Sequence, residues 1–144
     1  MKHYAPVVLD TNVLVMSISM HSPYYAIWKR FLTGEYTLCI SNEILEEYSE
    51  VLARNISFYV SEAIVNTILT RKNVKRFDPH FSFGLIRQDP DDNKFVDCAI
   101  VSNADFIVTE DKHFNVLKEI TFPKVSILGI DDFLHTLEGD PLPS

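Results

Sequence analysis

Residues 6–10 read PVVLD and residues 106–111 read FIVTED, so each of these short apolar runs ends in an acidic residue. Both runs have the length and composition of strands buried inside a parallel sheet. In such sheets, ligands bind just beyond the carboxyl ends of the strands. Acidic side chains at two of these ends would form a cage of hard oxygen atoms, which suits a divalent cation. The sequence therefore predicts a cation site at the edge of a parallel sheet.

The remaining chain alternates strand and helix patterns, with further strands expected at 36–40 and 125–128. This alternation predicts an α/β fold, a three-layer sandwich with a central parallel sheet between helices. We expect one domain over residues 1–138 and a loose tail over 139–144. Residues 74–87 indicate only short extended pieces between turns. Helices are predicted from Ser22-Pro23 to Gly34, over 42–54, and from Ser61 to about Arg71. Further helices are predicted from the end of the loop at 88–91 to Ser102, and over 113–119 and 131–137.

Charge and cysteine usage narrow the possible classes of protein. The net charge is −7, which argues against a broad basic face for nucleic acid. The exception is a basic segment at 71–76, in which Arg71, Lys72, Lys75 and Arg76 either end a helix or contact phosphate. The cysteines, at positions 39 and 98, lack the spacing of a zinc site, so we expect two buried free thiols.

Hydropathy and the start of the chain indicate a cytoplasmic protein of bacterial type. No apolar run approaches the roughly 20 residues of a membrane span. The chain enters its first strand by residue 6, which leaves no room for a signal peptide before it. We therefore expect no membrane association.

Helical phase selects among the many acidic residues. In the helix at 42–54, Glu46 points almost opposite the apolar stripe, whereas Glu47 lies on its flank and could reach the sheet edge. The alternative for Glu47 is a boundary residue whose carboxylate stays in water. In the helix that follows the loop at 88–91, Asp92 falls near the middle of the apolar stripe and Asp97 falls opposite it. Asp92 could instead be a helix N-cap.

Short polar residues accompany the acids at both strand ends. Thr11 and Asn12 follow Asp10 and could orient its carboxylate or hold a metal-bound water, although an ordinary strand-to-helix cap is the alternative. At the second strand end, alternation places Thr109 and Asp111 on one side and Glu110 on the other, and either of the two acids could turn toward the site. Of the five histidines, His113 is notable because it lies near Asp111.

Four motifs in this order and spacing resemble the PIN-domain ribonucleases, from about Pro6 to Leu134. The motifs are VLDTN at 8–12, SNEILEEY at 41–48, DPDDNKF at 89–95 and IVTED at 107–111. The branch that the chain resembles most is the toxin components of bacterial toxin–antitoxin pairs. The resemblance implies an endonuclease that acts on RNA and depends on Mg²⁺ or Mn²⁺, held by four acids in one pocket.

Matched position by position, the resemblance makes Asp10, Glu47, Asp92 and Asp111 both the catalytic residues and the metal ligands. Such a pocket repels RNA until the metal binds, which reconciles the negative net charge with a nucleic-acid substrate. The resemblance also implies an antitoxin partner and a homodimer. Exposed aromatic residues are candidates for the pairing surface, with core packing as the alternative. These residues are Tyr24, Tyr25 and Trp28.

Three other classes of protein compete with this interpretation. A phosphatase of the haloacid-dehalogenase kind also begins with a strand and an Asp, but it needs a second Asp where this chain has Asn12. A two-component receiver domain needs an order of acids and a late Lys that this chain lacks. The third alternative is a domain that binds RNA or a partner without catalysis. Acids at all four matching positions favour the enzyme.

Overall fold

The computed structural model describes residues 5–79, 82–87 and 90–139. Its centre is a five-stranded sheet in the order β3-β2-β1-β4-β5, and all neighbouring strands are parallel. Helices flank this sheet, which confirms the predicted α/β fold class. The strands are β1 (Pro6–Leu9), β2 (Thr37–Ile40), β3 (Val74–Arg76), β4 (Phe106–Val108) and β5 (Ile127–Leu128).

The helices of the described residues connect these strands. Two segments, Pro90–Asp92 and Lys112–Glu119, have 3₁₀ geometry, so the short helix expected at 113–119 is present in the tighter form. The α-helices are α1 (Thr11–Ser17), α2 (Tyr25–Leu32), α3 (Asn42–Asn55), α4 (Phe58–Thr70), α5 (Asn93–Ser102) and α6 (Ile130–Leu137).

The direction in which the chain crosses the sheet reverses between β1 and β4. From β1 the chain proceeds through β2 to β3 on one side, and it then returns to add β4 and β5 on the other side. The ends of β1 and β4 are in register, because Leu9 lies opposite Val108. Such a reversal leaves a crevice beyond the carboxyl ends of the two strands, where ligands bind. The predicted adjacency of these two strands is confirmed.

Helix α3 is fixed against the end of β1 by a buried tyrosine. Ser41 caps the helix, as predicted, by accepting the N–H of Ile44 at 3.2 Å. One turn further on, Tyr48 is fully buried, and its hydroxyl donates to the carbonyl oxygen of Leu9 at 2.6 Å. This bond satisfies the hydroxyl inside the core and sets the position of α3 along the strand. It therefore also places Glu47, the residue before Tyr48.

Helix α4 begins earlier than the sequence predicts. Ser57, rather than Ser61, is the N-cap, and its side chain accepts the N–H of Val60 at 3.0 Å. Ser61 lies inside the helix, where it is 2% exposed and donates to the carbonyl oxygen of Ser49 at 2.8 Å. The prediction that Ser61 caps the helix is wrong because its hydroxyl joins α4 to α3 instead.

Helix α2 begins later than predicted, at Tyr25, because Ser22 accepts the N–H of Tyr24 at 3.0 Å and forms a turn first. Trp28 is 6% exposed and belongs to the core. The core alternative therefore holds for Trp28, which cannot form part of a pairing surface. Tyr24 and Tyr25 are half-buried. As predicted, the helix stops at Gly34, whose φ of 79° is accessible to glycine without strain.

The segment 82–87 is held on α5 by two polar side chains. Asn93 accepts the N–H of Ile86 at 2.9 Å and donates to its carbonyl oxygen at 2.8 Å. Asp97 accepts the N–H of Phe83 at 3.1 Å. Helical phase places Asp97 opposite the apolar stripe, yet it is 8% exposed because this segment covers that face. A periodic pattern shows which face is apolar, but it does not reveal a loop that packs on the other.

The remaining expectations about the chain are resolved in part. Cys39 and Cys98 are buried free thiols, as predicted. Within the described residues, every helix is too short or too polar to cross a membrane. The part of the predicted tail from position 140 onwards, together with Gln88 and Asp89 of the predicted loop, lies outside the described residues.

Candidate metal centre

Asp10 lies at the reversal point of the sheet, directly after β1. Its side chain is 7% exposed and accepts the hydroxyl hydrogen of Thr109 at 2.8 Å. The Thr109 oxygen in turn accepts the N–H of Asp111 at 3.0 Å, so one hydroxyl group joins the ends of β1 and β4. Asp10 precedes α1, yet its carboxylate makes no capping bond to that helix. The cap alternative therefore does not explain why an acid is buried here.

Burial raises the pKa of Asp10 from 3.8 to about 6, because the surroundings solvate the carboxylate poorly. The hydrogen bonds from the Thr109 hydroxyl and the Thr11 backbone oppose this rise, and the charges of Asp111 and Glu47 add to it. The two acids that raise this pKa by repulsion come from other parts of the chain. The two hydrogen bonds thus only partly compensate for the burial of this carboxylate and for its repulsion by the other acids.

Glu47 approaches Asp10 from α3. One of its carboxylate oxygens, Oε2, accepts the hydroxyl of Thr11, and the other, Oε1, accepts the ammonium of Lys94 at 2.8 Å. Glu46, the alternative, is exposed on the far side of the helix. Asn12 is likewise exposed, whereas Thr11 and Thr109 are buried beside the acids. The structure therefore places two of the three predicted supporting residues at this site.

Lys94 is a cation at the site to which sequence reasoning assigned no role. Its side chain is 13% exposed, and its ammonium also lies 3.5 Å from an oxygen of Asp91. Burial disfavours the charge of Lys94, but the hydrogen bond and charge of Glu47 outweigh burial and raise its pKa. The signal was present in the DPDDNKF motif, where a lysine follows the acids closely. Only the fold reveals that it pairs with an acid 47 positions away.

Asp92 and Asp111 meet on the other side of the site, together with His113. The imidazole Nδ1 lies 3.5 Å from Oδ2 of Asp92 and 3.4 Å from Oδ1 of Asp111. One ligand atom from each of the three residues lies within 4.8 Å of the other two. Asp111 begins the 3₁₀ segment by accepting the N–H of His113 at 2.9 Å. Asp92, by contrast, makes no side-chain capping bond to α5, contrary to the capping alternative.

The four predicted acids, which we call the acidic cluster, thus lie near one another at the reversal point of the sheet. The charges of Glu47 and Asp111 both act on Asp10, and ligand atoms of Asp111 and Asp92 lie close to the imidazole of His113. Glu110 faces away, since its carboxylate accepts the N–H of Ile130 at 3.4 Å. Oxygen ligands gathered in this way suit a hard divalent cation.

The basic segment divides between the two ends of the sheet. Arg71 and Lys72 precede β3, and because all strands are parallel they lie at the end opposite Asp10. Lys75 and Arg76 lie within β3, and the guanidinium Nε of Arg76 donates to the side chain of Asn42 at 3.1 Å. The helix-end interpretation therefore describes Arg71 and Lys72. The structure does not bring these two residues to the acidic cluster.

Two clefts adjoin the acidic cluster. The larger, of about 560 Å³, lies between the N-terminal ends of α3 and α5 and is lined in part by Asp91 and Lys94. The smaller, of about 270 Å³, includes Asp111 together with Lys112 and Lys118. The larger cleft thus contains the lysine that pairs with Glu47, and the smaller contains two lysines in its lining besides Asp111.

A family model described as "PIN domain" matches residues 6–113. Solved structures with the same fold include VapBC2 from Rickettsia felis bound to a DNA fragment from its promoter, at 21% identity and a TM-score of 0.59, with 86% of this chain and 98% of that chain covered. DNA-bound VapBC from Salmonella typhimurium is similar at 19% identity and a TM-score of 0.56, with coverage of 88% and 98%.

The PIN domain endonuclease Utp24 is also similar, at 18% identity and a TM-score of 0.50, with 86% of this chain and 84% of that chain covered. No curated protein matches the sequence. At these identities the likeness between structures establishes the shared fold. The family match, over three quarters of the chain, also decides against the phosphatase and receiver-domain alternatives.

Proposed function

This chain belongs to the PIN-domain family of nucleases, and on that basis we propose that it is a metal-dependent endoribonuclease, the toxin of a toxin–antitoxin pair. The observation that carries the proposal is the meeting of four acids at the reversal point of the sheet. These acids follow the ends of β1 and β4, lie on α3, and end the 3₁₀ segment that precedes α5. The proposed catalytic residues and metal ligands are Asp10, Glu47, Asp92 and Asp111.

The donor set fits a divalent cation. Asp92, Asp111 and His113 offer ligand atoms close enough to share one ion. The pKa of Asp10 is raised, so a nearby cation would stabilise the charged form of this carboxyl group. Mg²⁺ or Mn²⁺ would be held by these residues. When bound, such an ion neutralises charge on the scissile phosphate and increases the acidity of a water molecule.

The side chains of the protein position the acids. The Thr109 hydroxyl holds Asp10 at the end of β1, and the Thr11 hydroxyl holds Glu47 at the start of α1. Lys94 balances the charge of Glu47 and so limits repulsion within the acidic cluster. Tyr48 holds α3 against β1. Hydroxyl groups of the protein therefore position Asp10 and Glu47 in the absence of a cation.

The substrate that we propose is RNA, and this choice rests on the likeness to toxin–antitoxin proteins. The acidic cluster would meet a scissile phosphate only in company with a cation. In this proposal, lysines in the two clefts, together with Lys75 and Arg76 in β3, contact phosphates on either side of the scissile one. Because these cations are few, we expect RNA binding to be weak in the absence of metal.

The partners that we propose are an antitoxin and a second copy of the chain. The solved VapBC structures hold a PIN-type chain in complex, which supports a partner protein for this chain. An antitoxin could block RNA by covering the clefts beside the acidic cluster. A homodimer would be seen as a doubled mass by light scattering at micromolar concentration, and a monomer would count against that part of the proposal alone.

Cleavage of RNA by the purified protein tests the function. We expect cleavage with Mg²⁺ or Mn²⁺, none after EDTA, and a loss of at least about 100-fold for Asp10→Asn, since removal of one essential charged group costs rate by orders of magnitude. The matched control is Glu46→Gln, which removes an exposed acid from α3 on the side that faces away from the site. Single-stranded DNA of the same sequence tests specificity for RNA. Equal cleavage by wild type and Asp10→Asn would contradict the proposal and would support a contaminating nuclease.

A further inference from the structure

His113 lies beside the acidic cluster, and the four-acid assignment gives it no role. We propose that its imidazole is a direct ligand of the cation and that the site consequently prefers Mn²⁺ to Mg²⁺. This inference rests on the proposed function, because it specifies the cation of the same site. It replaces the expectation of an all-carboxylate site with a mixed set of oxygen and nitrogen ligands.

The first observation in favour is the state of Glu47. Both of its carboxylate oxygens are already engaged, one by the Thr11 hydroxyl and the other by the Lys94 ammonium. A direct bond from Glu47 to the ion would have to displace one of these partners. In place of the direct bond that the four-acid assignment gives it, Glu47 acts on the cation through its charge, and the imidazole lies with Asp92 and Asp111 on the opposite side of the site.

The second observation is the geometry on that opposite side. Nδ1 of His113 lies 3.4 Å and 3.5 Å from oxygens of Asp111 and Asp92, which is longer than the roughly 2.7–2.9 Å of a charge-assisted hydrogen bond. Two ligands at right angles on an ion with bonds of about 2.1 Å are about 3 Å apart. The observed separations are close to those of atoms that surround one ion. Nδ1 of His113 and Oδ2 of Asp92 are both shielded from solvent, although the imidazole ring as a whole is partly exposed.

The third observation is that the backbone presents the imidazole to this point. Asp111 accepts the backbone N–H of His113 at 2.9 Å, and the next residue, Phe114, is fully buried. The 3₁₀ segment is thereby anchored on both sides of the imidazole. A residue fixed in this way needs little reorganisation to bind an ion.

The preference for Mn²⁺ follows from ligand chemistry. Mg²⁺ favours oxygen ligands and retains its water molecules, so an imidazole adds little to its affinity. Mn²⁺ accepts oxygen ligands equally well, and as a transition metal it also binds imidazole nitrogen. A site with two carboxylates and one imidazole should therefore distinguish the two ions, whereas a site of carboxylates alone would do so less.

The alternative role for His113 is that of a counterion, in which a protonated imidazole balances Asp92 and Asp111. The two roles predict opposite effects of His113→Ala. A ligand role predicts weaker Mn²⁺ binding with little change for Mg²⁺. A counterion role predicts tighter binding of both ions, because a competing positive charge has been removed.

The experiment measures Mn²⁺ binding to the metal-free protein by electron paramagnetic resonance, with Mg²⁺ as competitor. For His113→Ala we expect the Kd for Mn²⁺ to rise by about tenfold and that for Mg²⁺ to change by less than about threefold, on the scale seen when groups around a metal are removed. Electron spin echo measurements should detect a nitrogen nucleus coupled to bound Mn²⁺ in the wild type and not in the variant. The matched control is His135→Ala, which removes an exposed histidine from α6.

A second variant, His113→Gln, and thermal unfolding in EDTA separate a loss of ligand from a loss of fold. We expect both variants to unfold within a few degrees of the wild type, and Gln to leave no nitrogen coupling. Wild-type protein that binds Mn²⁺ without nitrogen coupling would overturn the inference, as would tighter binding by His113→Ala. Since no readout uses RNA, nitrogen coupling in a protein that fails to cleave RNA would support this inference while contradicting the proposed function.

Discussion

Replacement of Asp10 by asparagine should stabilise the metal-free protein near neutral pH. Asparagine has nearly the same shape as aspartate but carries no charge. The Asp10 carboxylate is buried beside Glu47 and Asp111, and its pKa is raised from 3.8 to about 6. In the folded protein, the charged form of this carboxyl group is therefore destabilised relative to the neutral form. Residues selected for a cation site are expected to oppose stability when the cation is absent.

The size and the pH dependence of the effect follow from the two pKa values. A pKa that is raised on folding gives stability that is fully present below about 3.8 and is lost as the pH rises through about 6. Above that pH the ionised group costs about 3 kcal/mol relative to a neutral one. The amide loses one acceptor oxygen, which offsets about 1 kcal/mol of the gain. We therefore expect Asp10→Asn to be more stable by about 2 kcal/mol at pH 7.5.

Urea unfolding in EDTA at pH 7.5 and at pH 4 measures this difference directly. At pH 7.5 the gain should appear as a rise in Tm of about 7 °C in parallel thermal scans. At pH 4 the two proteins should agree within about 1 kcal/mol, because the wild-type carboxyl group is then mostly protonated in the fold. The control is Glu62→Gln, an exposed acid on α4, for which we expect a change below about 0.5 kcal/mol at either pH.

Two results would refute this reasoning. The first is a variant that is less stable than the wild type at pH 7.5, since the carboxylate would then be stabilised by its surroundings rather than destabilised. The second is a difference that does not change between pH 7.5 and pH 4. Addition of Mn²⁺ should reverse the order of stability, because an ion at 100 times its Kd stabilises the wild type by about 2.7 kcal/mol and binds the variant poorly.

Three further predictions concern neighbouring residues. Glu47→Gln should reduce RNA cleavage at least about tenfold more than Glu46→Gln in a gel-based assay, because only Glu47 faces the site. Equal losses would show that cleavage depends on the total charge of α3 and not on the position of Glu47. Asp92→Asn should reduce cleavage more than Asp91→Asn, since the Asp92 side chain is 14% exposed and that of Asp91 is 78% exposed. The reverse ranking would show that Asp91, and not Asp92, is the third acid of the site. Asn93→Ala should lower the free energy of unfolding in urea by about 2 kcal/mol by leaving two buried backbone groups of 82–87 unpaired, and an unchanged midpoint would show that water replaces the amide.

Local sequence was sufficient for the elements that carry their own signals. The alternation of apolar runs predicted the strands on either side of the site, and helical phase separated Glu47 from Glu46 within a single helix. The Ser41 cap and the Gly34 stop were also predictable, because each acts on backbone within a few residues. The start of α4 was not, since Ser57 and Ser61 both have the chemistry of a cap and only the contact with α3 distinguishes them.

What the sequence by itself determined is that acids follow two buried strands and that Glu47, rather than Glu46, flanks the apolar stripe of its helix, because strand alternation and helical period are local properties of the chain. The choice of four acids for one site came from the resemblance of the motifs to PIN-domain ribonucleases. The tertiary structure alone decided how these acids are paired. Lys94 reaches Glu47, and His113 lies between Asp92 and Asp111, only after strands distant in sequence are aligned. Electrostatic energy depends on distance and burial, and no local pattern specifies either for residues that are far apart in the chain. The same reason explains why the raised pKa of Asp10 could be anticipated in sign, from the repulsion expected among clustered acids, whereas burial, its largest cause, required the fold.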